Sequence, residues 1–193
     1  HVNDERRSIE AQLSEVAKEQ AAQVYGGERA LVVAGRGWHE GVKGIVASRL
    51  VGVYHVPAML FSIVDGEARG SGRSYGGVNL FQAVESASSL LTRFGGHGAA
   101  VGVTLPAENL PAFERALEEH MQSLPAEQFE SRVDVDAEVH LADLTLENVA
   151  QLEQLAPFGQ EAPEPRFLVR NVSLANGRAV GASKNHFSFQ LSD

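Results

Sequence analysis

The chain has 193 residues, 44% of them hydrophobic and 21% charged, which predicts a packed core in one large domain or in a domain with a smaller companion. It contains no cysteine, which excludes a disulfide framework and a thiolate metal site. The net charge of −9 is uneven: residues 29–104 carry seven Lys and Arg against four Asp and Glu, and residues 105–165 carry two against fourteen, so a locally basic surface for phosphate is not excluded.

The first predicted element is a helix over residues 4–24, where apolar residues recur at three- and four-residue steps. Because the chain begins at His1 rather than Met, we expect a piece of a longer protein and interpret residues 1–28 as a connecting helix. No apolar run reaches the roughly 18 residues that a membrane helix needs, and no signal-peptide pattern is present at the start. The lack of cysteine fits a reducing cytoplasm, where we expect the protein to lie.

A buried strand over residues 29–34 and a helix over residues 42–54 come next, with His39 at the junction between them. Such junctions often carry site residues in α/β folds. A histidine that is structural or simply exposed is the commoner case, and that interpretation stays open. Gly44 and Gly52 weaken the helix, and we interpret them as places of close packing.

Residues 58–64 predict a strand, followed by a hairpin-type turn and an edge-like strand over residues 67–74. The two-residue period of a strand places Arg69, Ser71 and Arg73 on one face. Two guanidinium groups and a hydroxyl, with glycines between them, would form a phosphate clamp. A solvated strand face is the alternative.

A helix predicted over residues 79–91 leads to Gly95 and Gly96, which directly precede His97. Glycine lets a ligand approach the backbone closely, so we predict a tight turn that presents an imidazole and backbone N–H groups to an anion such as phosphate. A glycine-rich turn with a surface histidine is the alternative. Residues 99–104 then predict a buried strand.

A helix over residues 110–124 completes an α/β module with a central sheet. Beyond a polar connection, residues 133–140 alternate strictly and predict a strand, with three carboxylates on one face that a solvated surface explains better than a metal. Asp143 or Thr145 caps the next predicted helix, which runs to residue 155. Three strand-like runs follow, at residues 167–174, 178–183 and 186–191, with a hairpin turn at Asn176-Gly177.

Four segments, in this order, resemble the C-terminal half of the core of the RecJ family, within the DHH phosphoesterase superfamily. They are Trp-His-Glu-Gly-Val at 38–42 with Ile-Val-Ala-Ser-Arg-Leu at 45–50, Gly-Ser-Gly-Arg-Ser at 70–74, Phe-Gly-Gly-His at 94–97, and Pro-Phe-Gly at 157–159 with Pro-Glu-Pro at 163–165. The family usually has proline at the position of Glu40 and asparagine at that of Ala162.

The resemblance implies an α/β DHH-associated domain with a central mixed sheet over residues 29–124, and a small β-rich OB-type domain, expected to be incomplete, over residues 130–193. It implies a metal-dependent 5′-to-3′ exonuclease of DNA repair and recombination in the bacterial cytoplasm. Mn²⁺ or Mg²⁺ would be held by a DHH domain. The chain has no Asp-His-His sequence, so we expect that domain to be absent and the chain to bind single-stranded DNA without cleaving it.

Site residues carried over from the resemblance fall into two groups. The implied catalytic residues are His97, which would reach the scissile phosphate, and His39, which would line the same cleft. The implied 5′-phosphate site is formed by Ser71, Arg73, Arg69, Gly95 and Gly96, and no metal ligand is implied in this chain. In the OB-type domain, the candidates for base stacking are Phe167, Phe187 and Phe189, with core packing as the alternative.

Two other functions remain open at this point. One is a non-catalytic nucleic-acid-binding module, because the same domain type is associated with alanyl-tRNA synthetases. The other is part of a phosphodiesterase that acts on short oligonucleotides or cyclic dinucleotides. The Pro-Phe-Gly loop and the β-rich tail favour the exonuclease over the binding module, and the β-rich tail also favours it over the phosphodiesterase.

Overall fold

Five strands form a mixed sheet in the first of two units, which divide the chain into residues 1–132 and 133–193. The computed structural model describes residues 2–131, 133–159, 162–181, 184 and 186–192. The strands are β1 (Leu31–Arg36), β2 (Ala58–Val64), β3 (Glu67–Arg73), β4 (Arg93–His97) and β5 (Ala100–Pro106). Their order is β1-β2-β3-β5-β4, with β1 and β2 parallel and the other pairs antiparallel.

Helices cover both faces of this sheet. They are α1 (Val2–Val24), α2 (Glu40–Tyr54), α3 (Leu80–Ser86) and α4 (Leu110–Ser123). Strand alternation sends Leu31 and Leu60 toward α1 and α2, in a core that includes Leu50. On the other face, Phe61 packs edge-on against Phe113 of α4, with ring centroids 5.7 Å apart. The predicted α/β fold with a central mixed sheet is therefore confirmed.

Two predictions about the strands of this sheet were wrong. The strand that carries Arg69 and Arg73 is interior, because β3 lies between β2 and β5. The edge strands are β1 and β4, and β4 forms where a turn was predicted: Gly95 and Gly96 pair with Gly102 and Val101 of β5. Glycine favours turns by propensity, but here the hydrogen bonds offered by β5 decide the conformation. The helix predicted to run to residue 91 ends at residue 86.

The second unit contains α5 (Leu146–Leu152) and four strands: β6 (Ala137–Glu138), β7 (Phe167–Leu168), β8 (Ser173–Val180) and β9 (His186–Ser192). The β6–β7 pair is parallel and the β8–β9 pair is antiparallel. Thr145 caps α5, since its hydroxyl accepts a 3.1 Å hydrogen bond from the backbone of Asn148. Single 3₁₀ turns lie at Ser88–Leu90, Ala107–Asn109, Ala126–Phe129, Leu141–Asp143 and Glu153–Leu155.

Two strand predictions in the second unit were also wrong. Of the strand predicted over residues 133–140, only β6 forms. Asn176 and Gly177 do not form a hairpin turn but a bulge inside β8, where the pairing with β9 shifts register and Asn176 has a φ of 55°. A positive φ serves a bulge as well as a turn, so the local sequence does not distinguish them. Residues 182 and 183, at the end of the run predicted over residues 178–183, lie outside the described residues.

Within the described residues, no helix combines the length and the apolar character required to span a bilayer.

Candidate nucleic-acid interface

A trough of about 440 Å³ lies over β3, β5 and β4, on the face of the sheet that α2 also covers. Its polar and glycine lining residues are Glu40, Arg69, Gly70, Ser71, Arg93, Gly95, Gly102 and Thr104. The sequence interpretation that Arg69 and Ser71 share one strand face is confirmed, because the alternate residues of β3 are buried against α3 and α4.

Strand register arranges this face in three rows, because directly paired residues of antiparallel strands point to the same side of a sheet. The rows are Arg93–Thr104–Arg69, Gly95–Gly102–Ser71 and His97–Ala100–Arg73. Neighbouring rows are about 7 Å apart and the outer rows about 13 Å apart along the strands. Cationic or imidazole side chains therefore flank a middle row with almost no side chains.

Arg73 is half-buried at the end of β3, in the row next to that of Ser71, and is not among the residues that line the trough. Its Nη1 donates a 2.8 Å hydrogen bond to the carbonyl of Gly72. Its Nη2 lies against Gly44 of α2, where an added Cβ would come within 2.4 Å. Gly44 is therefore a place of close packing, as the sequence predicts, whereas a Cβ at Gly52 would meet nothing within 4 Å.

The imidazole of His97 is exposed at the end of β4. Its Nδ1 accepts a 3.3 Å hydrogen bond from the backbone N–H of Ala99. In the neutral ring, the acceptor role of Nδ1 leaves the hydrogen on Nε2, which is then available as a donor. Gly96 has a φ of 137°, and an added Cβ would lie 2.2 Å from the carbonyl oxygen of Ala100, so the turn depends on glycine at that position.

Two backbone hydrogen bonds fix the turn that follows His97. The N–H of Ser74 donates to the carbonyl of Ala99 at 2.9 Å, and the N–H of Leu80 donates to that of Gly98 at 2.9 Å. Ser74 directly follows Arg73, so the segment that ends β3 also positions the imidazole.

His39 occupies a different position. It is the N-cap of α2, where its Nδ1 accepts a 3.1 Å hydrogen bond from the N–H of Gly41. It follows β1 and therefore lies at the opposite end of the strands from His97, which ends the antiparallel β4. The structure does not bring the two histidines into one row, and a catalytic role for His39 stays a prediction.

Sequence reasoning missed Arg93 and Thr104, which share a row with Arg69. The available signal is the two-residue alternation of Arg93, Gly95 and His97, which places all three on one face once the segment is treated as a strand.

Comparison with known proteins identifies both units. Residues 27–123 match the DHHA1 domain, and residues 135–193 match the RecJ OB domain. The chain belongs to the RecJ family. It is 38% identical over 193 residues to the single-stranded-DNA-specific exonuclease RecJ of Bacillus subtilis, an alignment that covers 98% of the chain and 25% of that relative.

Solved RecJ structures agree with this assignment. RecJ from Thermus thermophilus, in complex with Mg²⁺, superposes with a TM-score of 0.75 at 29% identity, over 98% of the chain and 29% of that protein. The complex with Mn²⁺ gives a TM-score of 0.76. RecJ of Escherichia coli is 34% identical over 136 residues, which cover 67% of the chain and 24% of that protein. The chain spans about a quarter of the length of these RecJ relatives.

The described part of this RecJ-family chain brings together no group of three or more His, Asp or Glu side chains that could hold a metal ion. The carboxylates near β6 have other contacts: Asp136 accepts from the backbone N–H of Arg166 at 2.8 Å, and Glu138 accepts from Arg170 Nε at 2.9 Å. In the trough, the one carboxylate among the lining residues is Glu40, which accepts from Lys43, so this lining suits phosphate better than a metal ion.

Lys43 is a buried cation beneath the trough that sequence reasoning also missed. Its side chain is 0% exposed, and its Nζ donates to Glu40 Oε1 at 2.8 Å and to the carbonyl of Arg69. Burial lowers the pKa of Lys43, and the bond to Glu40 offsets part of that effect. Through these two hydrogen bonds, the ammonium connects the first turn of α2 to β3. Both of its partners, Glu40 and Arg69, line the trough.

Replacing Lys43 with methionine is expected to remove the contribution that this lysine makes to the pH dependence of the free energy of unfolding. The pKa of Lys43 is lower in the folded chain than its ordinary value of 10.5. At a pH between the folded and the ordinary pKa, the unfolded chain therefore binds more protons than the folded chain. The free energy of unfolding of the wild type should therefore rise relative to that of Lys43→Met as the pH increases toward 10.5. Urea unfolding of both proteins at several pH values tests this.

Lys18→Met, at a lysine of α1 whose side chain is 44% exposed, controls for the loss of a charge. A difference between the wild type and Lys43→Met that stays constant with pH would show that burial does not perturb Lys43.

Proposed function

We propose that this chain is the substrate-binding part of a metal-dependent 5′-to-3′ single-stranded-DNA exonuclease, acting in DNA repair and recombination in the bacterial cytoplasm. The trough would hold the 5′-phosphate end of the strand. The observation that carries the proposal is that Ser71, Arg73 and His97 face the same side of the sheet in adjacent rows. The family membership and the names of the bacterial relatives support it.

Ser71 and Arg73 are the proposed contacts of the terminal phosphate. A guanidinium offers two parallel N–H donors to a phosphate, and such charge-assisted bonds are stronger than neutral ones. The contact with Gly44 holds the guanidinium beside the trough. Less side-chain entropy is then lost when the phosphate binds.

His97 is the proposed contact of the phosphodiester that is cleaved. Its Nε2–H would donate to a non-bridging oxygen, whose negative charge grows in the transition state. Gly95 and Gly102 would let the sugar-phosphate backbone approach the sheet closely. Arg69 and Arg93 would neutralise phosphate charge at the other end of the trough.

The remaining parts of the proposal concern other domains. A DHH domain outside this sequence would hold the Mn²⁺ or Mg²⁺, and residues 1–28 would connect it to a DHH-associated domain over residues 29–124. The OB-type domain, over residues 130–193, would bind the strand further along. In it, Phe187 and Phe189 are exposed, with ring centroids 6.4 Å apart, and are the favoured stacking candidates.

The chain is expected to bind a 5′-phosphorylated single-stranded oligonucleotide at least about tenfold more tightly than the same strand with a 5′-hydroxyl, because hydrogen bonds between charged groups contribute about 1.5–3 kcal/mol. Arg73→Gln should abolish this preference while leaving affinity for the 5′-hydroxyl strand nearly unchanged. Fluorescence anisotropy with both labelled strands measures the two affinities.

Arg115→Gln is the matched control, since Arg115 is exposed on α4, which packs against the opposite face of the sheet. Equal affinity of the wild type for both strands would refute the phosphate site and favour a general nucleic-acid-binding module. Preferential binding of a dinucleotide would favour a phosphodiesterase of short substrates.

A further inference from the structure

A second pocket, of about 380 Å³, adjoins the trough on the far side of Glu40 and Arg69, which line both. Its other principal lining residues are Trp38, Ser62, Asp65 and Glu67. The phosphate-binding proposal uses neither Trp38 nor Ser62. This pocket, named here the indole pocket, is therefore a separate candidate for ligand binding.

Ser62 carries a buried hydroxyl that lacks a partner. The residue is 1% exposed, and within the described part of the chain its Oγ makes no hydrogen bond. Strand pairing places it in one row with Gly35 of β1 and Arg69 of β3. A buried polar group without a partner costs about 1–3 kcal/mol. A hydroxyl can both donate and accept, so a polar ligand in the indole pocket would satisfy it.

Trp38 supplies a flat apolar surface beside that hydroxyl. Its indole lies against Gly35, where an added Cβ would come within 2.1 Å of the ring. Gly35 therefore fixes the position of the ring. Aromatic side chains of this kind stack on the bases of unpaired strands.

Two of the three carboxylates that line the indole pocket, Glu40 and Glu67, have partly compensated charge, and Asp65 is the third. Glu40 accepts from buried Lys43 at 2.8 Å, and Glu67 accepts from Arg69 Nε at 2.6 Å. Each of these carboxylates keeps acceptor capacity for an N–H donor. This arrangement suits a flat ligand that presents an amino group as a hydrogen-bond donor. Carboxylates accept hydrogen bonds from the exocyclic amino group of cytosine in the same way.

We propose that the indole pocket binds a nucleobase that carries an exocyclic amino group, stacked on Trp38 and hydrogen-bonded to Ser62 and a neighbouring carboxylate. The inference rests on the proposed function, because the base would belong to the strand whose phosphates lie in the trough. The shared residues Glu40 and Arg69 make the two sites continuous.

Trp38 is the chain's one tryptophan, so intrinsic fluorescence reports on this pocket directly. The test compares 5′-phosphorylated oligo-dC with 5′-phosphorylated oligo-dU of equal length, which differ in the amino group at C4. We expect oligo-dC to quench the fluorescence and to bind about three- to tenfold more tightly, the value of one or two hydrogen bonds. Ser62→Ala should reduce that preference and leave the preference for a 5′-phosphate intact.

Ser48→Ala, at an exposed serine of α2, is the matched control. Thermal unfolding of Ser62→Ala should be unchanged or shifted upward, because the unpaired hydroxyl is removed. Equal binding and equal quenching by oligo-dC and oligo-dU, with the 5′-phosphate preference intact, would overturn the base site alone. Failure of both strands to bind would overturn the proposed function. Quenching by arginine amide but by neither strand would mark a site for a protein side chain and also overturn the proposal.

Discussion

In a protein that joins this chain to a metal-bearing catalytic domain, His97→Ala is expected to lower turnover by about 10²–10³-fold, the usual effect of removing one donor to transition-state charge. Affinity for the 5′-phosphorylated strand should change by no more than about twofold, because the interaction strengthens only as charge develops. Single-turnover cleavage and equilibrium binding, measured on the same strand, separate the two quantities.

His97→Gln should recover part of the activity, because its amide N–H₂ remains a donor at a similar reach. His120→Ala, on α4, controls for the loss of an imidazole remote from the trough. A loss confined to affinity would remove the catalytic role of His97. Equal turnover for His97→Ala and His97→Gln would assign the effect to the ring alone.

The face that carries the site was predictable from the sequence because strand alternation is a local property. The two-residue period from Arg69 to Arg73 holds along the whole of β3, and every second residue packs into the core. The neighbours of β3 were not predictable, because sheet order depends on contacts between distant segments. That is why an interior strand was taken for an edge strand.

The Gly95–His97 segment shows the limit of propensity. Two successive glycines favour a turn, yet they form an edge strand whose hydrogen bonds β5 supplies. The missed strand concealed Arg93, which completes one end of the trough. The turn lies immediately after His97, so the prediction of an imidazole beside a glycine-rich turn is correct. Gly95 and Gly96 themselves, however, have the conformation of a strand and not of a turn.

Lys43 was missed for a different physical reason. Lysine is almost never fully buried unless it is paired, and the apolar periodicity of α2 gives no reason to expect a buried charge. Its burial follows from an acceptor on β3, the carbonyl of Arg69, and from Glu40 one helical turn earlier. Only the three-dimensional structure brings these acceptors together.

Substitutions at two glycines on adjacent strands are expected to have opposite effects: one should lower the stability of the fold, and the other should weaken DNA binding. Gly70 of β3 faces the core, and an added Cβ would lie 2.5 Å from the ring of Phe61. Gly102 of β5 faces the trough, and an added Cβ would meet nothing within 4 Å. Gly70→Val is expected to lower the free energy of unfolding by about 2–3 kcal/mol, since overpacking forces buried side chains to shift.

Gly102→Val should leave stability unchanged or raise it slightly, because valine suits a strand better than glycine does. It should nevertheless weaken binding of the 5′-phosphorylated strand by about tenfold, because the side chain fills the space that the sugar-phosphate backbone needs. Urea unfolding and anisotropy on both variants measure the two effects, and each variant serves as the other's control.

Unchanged binding by Gly102→Val would place the strand elsewhere on the molecule. A stable Gly70→Val would mean that the Phe61 ring has room to move. The opposite outcomes follow from a single property of the sheet, which packs one face of β3 and β5 against helices and leaves part of the other face open.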